Sequence, residues 1–323
     1  MHQAGDWGGL DCGATRQSGG EGKVLVAQQA AGDPQAAGPE AAAGTGTAGT
    51  GTAGTGAAAL GFDPAVPNPA RMWNYWLGGK DNYAADRELA ERARQALPSL
   101  PVIARLARRF LGDAVTRLAV EHGIRQFLDI GSGLPTADNT HEVARRAAPD
   151  ARVVYVDHDP VVVTHARALL GAAGRDAGTS VLHADLRDTD AILAGAAATL
   201  DLARPAAVLL IGVLHFIPDA DDPWGITARL MRPLPSGSFL VIGHAAADIE
   251  AEAARMAEDV YNQRSSARIV PRTRDQVARF FDGLELIPPG LAPLSQGPPD
   301  DWSGDDDHAA RALAGYCGIG RKP

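Results

Sequence analysis

Gln126-Phe127-Leu128-Asp129-Ile130-Gly131-Ser132-Gly133-Leu134-Pro135-Thr136 is the stretch from which the fold is read. Five residues with an apolar majority run into a Gly-x-Gly turn, and helical signals begin at about Thr140. A strand that passes through a glycine turn into a helix is the opening step of a parallel sheet with crossover helices. The step recurs downstream. Short β-rich runs at 126–130, 152–156, 180–184, 207–211 and 239–242 alternate with helical stretches from about Thr140, Val161, Asp190 and Pro223. Asp222 before Pro223 reads as an N-cap and first helical residue, and Ile226, Leu230 and Met231 give that helix a buried face. A charged helix over 248–262 and another over 273–281 come next. A short run at 284–287 and a segment at 316–320, read as a closing strand pair, complete the sheet.

Upstream of the quoted stretch, Asp86 is the expected N-cap of a helix reaching about Ala96, and Pro98 and Pro101 punctuate the chain beyond it. A second helix spans 102–122, with Ile103, Leu106, Phe110, Ala114 and Leu118 at three-to-four spacing and Gly123 in the C′ position. Before both lies Arg71-Met72-Trp73-Asn74-Tyr75-Trp76-Leu77-Gly78-Gly79-Lys80-Asp81-Asn82-Tyr83, which holds four of the chain's 17 Phe, Trp and Tyr residues. Aromatics this dense serve a core or a lid over a ligand. Before Leu60 the character changes: 15 of the 37 glycines lie there, many in GTGTA repeats from Gly44, with no apolar period. Such a stretch cannot bury enough surface to offset the entropy of ordering it. The expected organisation is a disordered Gly/Thr/Ala-rich tail over 1–60, a helical leader over 61–123 and an α/β core over 124–323.

Composition narrows the function classes. Of 323 residues, two are cysteines, Cys12 and Cys317, at opposite ends and outside any metal-ligand spacing, so neither a disulfide framework nor a zinc site is expected. That usage points to the reducing cytoplasm. No basic stretch followed by an apolar one opens the chain, so no signal peptide is expected. The longest apolar run, 206–217, is broken by Gly212 and His215 and falls short of the ~20 residues a bilayer requires, so no membrane partner is expected. A net charge of −9 argues against a nucleic-acid partner, which needs a Lys and Arg surplus. Much of that charge sits in the tail and in Asp300, Asp301, Asp305, Asp306 and Asp307, so the rest is nearly neutral and suits a small, weakly charged acceptor.

Ligands of open parallel sheets bind beyond the carboxyl ends of the strands. The first strand end carries Asp129-x-Gly131-Ser132-Gly133; the dinucleotide fingerprint would need a third glycine where Thr136 stands. The two glycines let backbone N–H groups approach a ligand, or they simply allow a tight turn. Asp129 can accept an ammonium or fix that turn. The second strand ends in Asp157-His158-Asp159. Asp157, 24 residues beyond Gly133, is placed to accept both hydroxyls of a ribose, while Asp159 before Pro160 serves as a helix cap. Asp185 after the third strand can accept an adenine amine or stand as a solvated turn acid. The fourth strand runs into Gly212-Val213-Leu214-His215. His215 is the candidate base or acceptor-positioning residue, with a loop-holding role as the alternative; His244 is the second choice. Asp219, Asp221 and Asp222 are read as acids gathered before a helix N-terminus rather than as a metal site.

Taken together, Asp129-x-Gly131-Ser132-Gly133, Asp157, Ala184-Asp185-Leu186-Arg187 and Val213-Leu214-His215-Phe216-Ile217-Pro218-Asp219 resemble the class I S-adenosylmethionine-dependent methyltransferases. The leader, 71–83 with Asp86-Arg87, resembles more narrowly the actinobacterial DUF574 methyltransferase family, and the likeness covers about 62–321. That resemblance implies a Rossmann-like, mostly parallel seven-stranded sheet with helices on both faces and an amino-terminal helical leader. It implies S-adenosyl-L-methionine as cofactor, with Asp129, Gly131, Ser132 and Gly133 around its methionine end and Asp157 and His158 at the ribose. Asp185 and Leu186 would lie at the adenine, and the backbone of Gly212, Val213 and Leu214 under the sulfonium. Pro135 replaces a glycine common in such enzymes, and the Asn-Pro-Pro-Tyr signature of nucleic-acid amine methylation is missing. The leader is hypothesised to act as a lid, Arg71 or Asn82 reaching the cofactor carboxylate or the acceptor. The rivals are a non-catalytic nucleoside-binding regulatory protein and an NAD-dependent oxidoreductase.

Overall fold

The protein is described here by a computed structural model covering residues 62–136, 138–172, 178–249, 251–294 and 315–323. The expected tail over 1–60 and the acidic run at 300–307 lie outside the described residues.

Five parallel strands occupy the centre of an eight-stranded sheet: β1 (Gln126–Ile130), β2 (Arg152–Asp157), β3 (Thr179–His183), β4 (Ala207–Ile211) and β5 (Phe239–His244), in the spatial order β3-β2-β1-β4-β5. β8 (Tyr316–Arg321) lies antiparallel against β5, and the two-residue strands β6 (Glu285–Leu286) and β7 (Ala292–Pro293) pair with β8. The mostly parallel sheet expected from the sequence is present, with strand limits shifted by one or two residues. Of the expected closing segments, 316–320 lies within β8 and 285–286 of the 284–287 run pairs with it antiparallel. A Cβ on Gly320 would stand 2.7 Å from Phe281 Cδ1, so the glycines of β8 admit the Phe281 ring.

Strand order reverses at β1, with β2 and β3 on one side and β4 and β5 on the other. The carboxyl ends of β1 and β4 therefore flank the crevice where open α/β sheets bind ligands. Alternate side chains feed two cores. Phe127, Val153, Leu209 and Val241 face α3 (Leu100–Glu121) and α4 (Thr140–Ala147); Leu128, Val154, Leu210 and Ile242 face α6 (Thr189–Ala196) and α7 (Pro223–Met231). Phe127 is fully buried, and truncating such a side chain to alanine costs about 3–5 kcal/mol.

α3 begins at Leu100, and its buried stripe holds Leu106, Ala114 and Leu118 as expected, joined by Leu111 and Val115, while Phe110 and Ile103 are only half-buried. α7 is capped by the Asp222 side chain on the Gly225 N–H at 2.9 Å, with Asp222 itself in the left-handed region at φ 52°. Asp86 is not the N-cap of α2 (Ala84–Ala96). It sits at the third helical position and accepts the Tyr83 N–H at 2.8 Å. α5 (Pro160–Ala172) follows β2, and α8 (Ala251–Asn262) comes after an isolated bridge between Ala246 and Arg272. α9 (Arg274–Ala278) continues as a 3-10 turn, Arg279–Phe281.

The leader packs across the top of the sheet. Met72 and Trp76 of α1 (Pro69–Trp76), Leu89 and Ala93 of α2, and Tyr261 of α8 form one buried cluster, against which Phe216 of the β4 loop and Trp73 pack. The Ser266 N–H donates to Pro67 O at 3.0 Å and adds a main-chain tie.

Candidate active site

Gly131 and Gly133 hold φ of 72° and 66°, a region that costs other residues ~1–2 kcal/mol. The turn brings the Gly131 N–H onto Val156 O at 2.8 Å. A Cβ on Gly131 would lie 2.6 Å from Val213 Cβ, so glycine is required there for the approach of the β1 and β4 ends. Gly133 and Gly212 differ: with φ of 66° and 76°, each faces space in which a Cβ would meet nothing within 4 Å. Asp129, buried in β1, accepts the Thr140 hydroxyl at 2.6 Å and so fastens the turn to the start of α4. Burial pushes its carboxyl up to about 6, against the opposing Thr140 bond and the nearby Arg108 charge.

Asp157 ends β2 with its carboxylate buried. Its Oδ2 accepts the Gly133 N–H at 3.0 Å and its Oδ1 the Asp159 N–H at 2.9 Å. Burial raises its pKa in spite of those two bonds. Each oxygen keeps a second lone pair. The exposed His158 ring stands 3.8 Å from Asp157 Oδ1. Asp159 caps α5 through the Val161 N–H at 2.7 Å, as expected. After β3, Leu186 is buried and Asp185 half-exposed, and Asp185 pairs with Arg187 at 2.9 Å. Arg187 also reaches Asp221 at 2.7 Å, linking the β3 and β4 loops.

Beyond β4, Gly212 is tied to β5 by its N–H on Gly243 O at 2.9 Å, and Leu214–Phe216 form a 3-10 turn. His215 and His244 are both buried, their rings edge to face with centroids 5.5 Å apart. Behind them lies Arg272, 1% exposed, which no local pattern in the sequence singles out. Its guanidinium bonds Leu214 O at 3.1 Å, Ile217 O at 2.8 Å, Asp219 Oδ1 at 2.6 Å and His244 Nε2 at 3.0 Å, holding the β4 loop from beneath. Burial pushes both histidines down, His244 to about 3 and His215 well below its ordinary value, and the Arg272 charge adds to the effect. Both rings therefore favour the neutral form.

Arg71 is 2% exposed and each of its nitrogens is engaged: Nε with Asp86 at 2.9 Å, one terminal nitrogen with Val66 O at 2.7 Å, the other 3.6 Å from Asp159. The Phe62 and Tyr83 rings stack over it, each centroid 5.3 Å away. In the structure Arg71 is thus held by groups of the protein, and its charge faces Asp159 of the β2–α5 loop. Asn82 donates to Asn74 Oδ1 and Gly79 O, both at 2.9 Å, and accepts from Arg87 at 3.0 Å, so its amide shapes the leader turn. The acids at 219–222 each have a partner: Asp219 on Arg272, Asp221 on Arg187, Asp222 at the α7 start. Among the described residues no three His, Cys, Asp or Glu side chains are grouped to hold a metal ion, and no helix is long and apolar enough to cross a membrane.

Residues 56–323 match the model of the S-adenosyl methyltransferase family. A DUF574 family protein of Streptomyces avermitilis MA-4680 is similar at 40% identity and a TM-score of 0.75, covering 81% of this chain and 99% of its own. A candidate methyltransferase of Thermobifida fusca YX is also 40% identical, with a TM-score of 0.73 over 82% of this chain and 97% of its own. Among functionally curated proteins no match is found. The cofactor is S-adenosylmethionine, and the chain belongs to the DUF574 family of S-adenosyl methyltransferases.

Proposed function

We propose that this methyltransferase acts on a small-molecule acceptor, with the cofactor lying across the β1–β4 crevice beneath the leader. The observation that carries this reading is the pairing of Asp157 with Gly133. A buried carboxylate with one lone pair left on each oxygen stands beside a glycine turn whose outer side is open. Two vicinal hydroxyls fit that acceptor pair. Gly131, Ser132 and Gly133, steadied by Asp129, would carry the methionine end; His158 would flank the ribose. Asp185 and Leu186 would border the adenine, once Asp185 shares its oxygens with Arg187. Gly212, Val213 and Leu214 would form the floor under the sulfonium.

When bound, S-adenosylmethionine supplies an electrophilic methyl carbon that leaves a sulfonium by in-line displacement. The chain supplies alignment and exclusion of water. Arg272 fixes the floor, Arg187 bridges the outer rim, and α1 and α2, clamped by Arg71, roof the crevice. The near-neutral charge of the core and the absence of a nucleic-acid amine signature favour a small acceptor. The two distant cysteines favour a reducing cytoplasmic setting.

Calorimetric titration of S-adenosylmethionine and of NAD into wild type and Asp157→Ala tests the reading. Binding of the former alone, lost in the variant, is expected. Wild-type affinity in Asp157→Ala would remove the ribose assignment.

A further inference from the structure

We infer that Arg272 and His244 are positioning residues which fix His215 as an Nε2–H hydrogen-bond donor, so that His215 orients the methyl acceptor and does not deprotonate it. The donor role toward the acceptor rests on the methyl-transfer reading of the β4 loop; the ring tautomers derive from hydrogen bonding alone.

The chain of contacts runs in one direction. Arg272 has only N–H donors, so the contact from its terminal nitrogen to His244 Nε2 at 3.0 Å requires a lone pair on that Nε2. Ala245 O has only lone pairs, so the 2.8 Å contact to His244 Nδ1 requires a proton on that Nδ1. Two independent neighbours thus impose one tautomer on His244. The Ala245 N–H points the other way and donates to His215 Nδ1 at 3.4 Å, which can accept only as a lone pair. The remaining proton of a neutral His215 is then on Nε2.

Other contacts hold this arrangement in register. The Arg272 N–H donates to the same Ala245 O at 3.1 Å, the Ala247 N–H donates to Arg272 O at 3.0 Å, and the Val270 N–H donates to His215 O at 2.7 Å. The His244 ring is packed on Phe280, centroids 5.7 Å apart, and the His215 ring on Phe216 at 4.4 Å. Among the described residues no carboxylate is bonded to either ring, and the charge that contacts His244 is the positive Arg272, whose carboxylate partner is Asp219. His215 is 6% exposed, and among the described residues its ring hydrogen bond is the one at Nδ1, which leaves Nε2 without a protein partner.

A histidine that presents Nε2–H cannot take a proton on that nitrogen, and taking one on Nδ1 would turn the Ala245 N–H contact into a clash of two donors. An acceptor beside it is held through an oxygen or nitrogen lone pair and brings its nucleophile already able to attack.

The test uses the full chain labelled with nitrogen-15 histidine and two-bond ring proton–nitrogen correlation spectra; His215 and His244 are identified among the nine histidines by the signals lost in His215→Asn and His244→Asn. Expected are a neutral His215 with a pyrrole-type Nε2 and a neutral His244 with a pyrrole-type Nδ1, unchanged from pH 8 to pH 5.5. A protonated His215, or one with its proton on Nδ1, would overturn the inference without touching the methyltransferase reading. In Arg272→Met, His244 is expected to lose its single tautomer and the His215 ring signals to shift. If that variant does not fold, His244→Phe tests the same link, with the His215 Nδ1 signal expected to move. Wild-type His215 signals in a folded variant would overturn the positioning roles. Calorimetric titration of S-adenosylmethionine on the same samples separates the two readings: failure to bind in wild type removes the function, while the tautomer result stands by itself.

Discussion

Arg71→Met is the perturbation that most directly probes how the leader is held. The methionine keeps most of the stem's packing but removes the charge, leaving Asp86 and Asp159, exposed by 0% and 3%, without a cation. Removing one partner of a buried ion pair costs about 3–5 kcal/mol, mostly because the remaining charge stays desolvated. The stacked Phe62 and Tyr83 rings add about 0.5–2 kcal/mol of cation–π attraction that methionine replaces only in part. At about 2–4 °C per kcal/mol for a domain of this size, the variant should melt roughly 6–28 °C below wild type. The assay is thermal unfolding followed by circular dichroism, with a urea titration on the same samples. Asp86→Asn and the double variant complete a cycle. Asp86→Asn should cost less than Arg71→Met, because Arg71 retains Asp159 and Val66 O, and the double variant should lie well short of the sum. S-adenosylmethionine affinity measured well below the melting temperature should stay within about threefold of wild type, since Arg71 is committed to protein groups. A melting shift under about 2 °C, or a large affinity loss in a folded variant, would refute the reasoning.

Further outcomes are expected elsewhere. The Asp129 carboxyl, raised from its usual range to about 6, lends stability below pH ~4 that is lost as pH rises through 6. Asp129→Asn should therefore be more stable than wild type at pH 7 by about 1–3 kcal/mol, the difference closing by pH 4 in denaturant titrations. Gly131→Ala should cost about 2–4 kcal/mol, from left-handed strain plus the overlap with Val213. Gly133→Ala, with open space around it, should cost about 1 kcal/mol in stability yet weaken S-adenosylmethionine binding at least tenfold by calorimetry. His244, held down at about 3, is neutral in the fold and protonates in the unfolded chain as pH falls below about 6.5. Its contribution is intact above that pH and lost at about 1.4 kcal/mol per unit toward pH 3, and His244→Phe should remove one proton from the measured pH slope.

The sheet was legible because each β-run is short, apolar and followed by a turn signal, and the pattern survives neighbouring structure. Asp222 and Asp159 were legible as caps because capping is local: the acceptor sits within three residues of the donor. Asp86 misled for a related reason, since an acid at the third helical position and one at the cap look alike when both precede a helical run. Arg71 and Arg272 could be named or missed but not placed. Their partners lie 15 and 53 residues away, and nothing in the chain near an arginine distinguishes a buried clamp from a solvated surface charge. The same distance effect hid the real state of His215, whose Nδ1 is set by a backbone amide 30 residues further on.

β8 also bears on the order in which the molecule assembles. The parallel strands β1 to β5 are joined by crossovers of ordinary length, whereas 71 residues separate His244 at the end of β5 from Tyr316 at the start of β8. Closing a long loop carries an entropic cost that grows with the logarithm of its length, and non-local pairings of this kind form late. A five-stranded parallel platform with its β1–β4 crevice can then precede the antiparallel edge. Substitutions in β8 should accelerate unfolding far more than they slow folding, so the edge sets how long the folded protein persists rather than how soon the crevice appears.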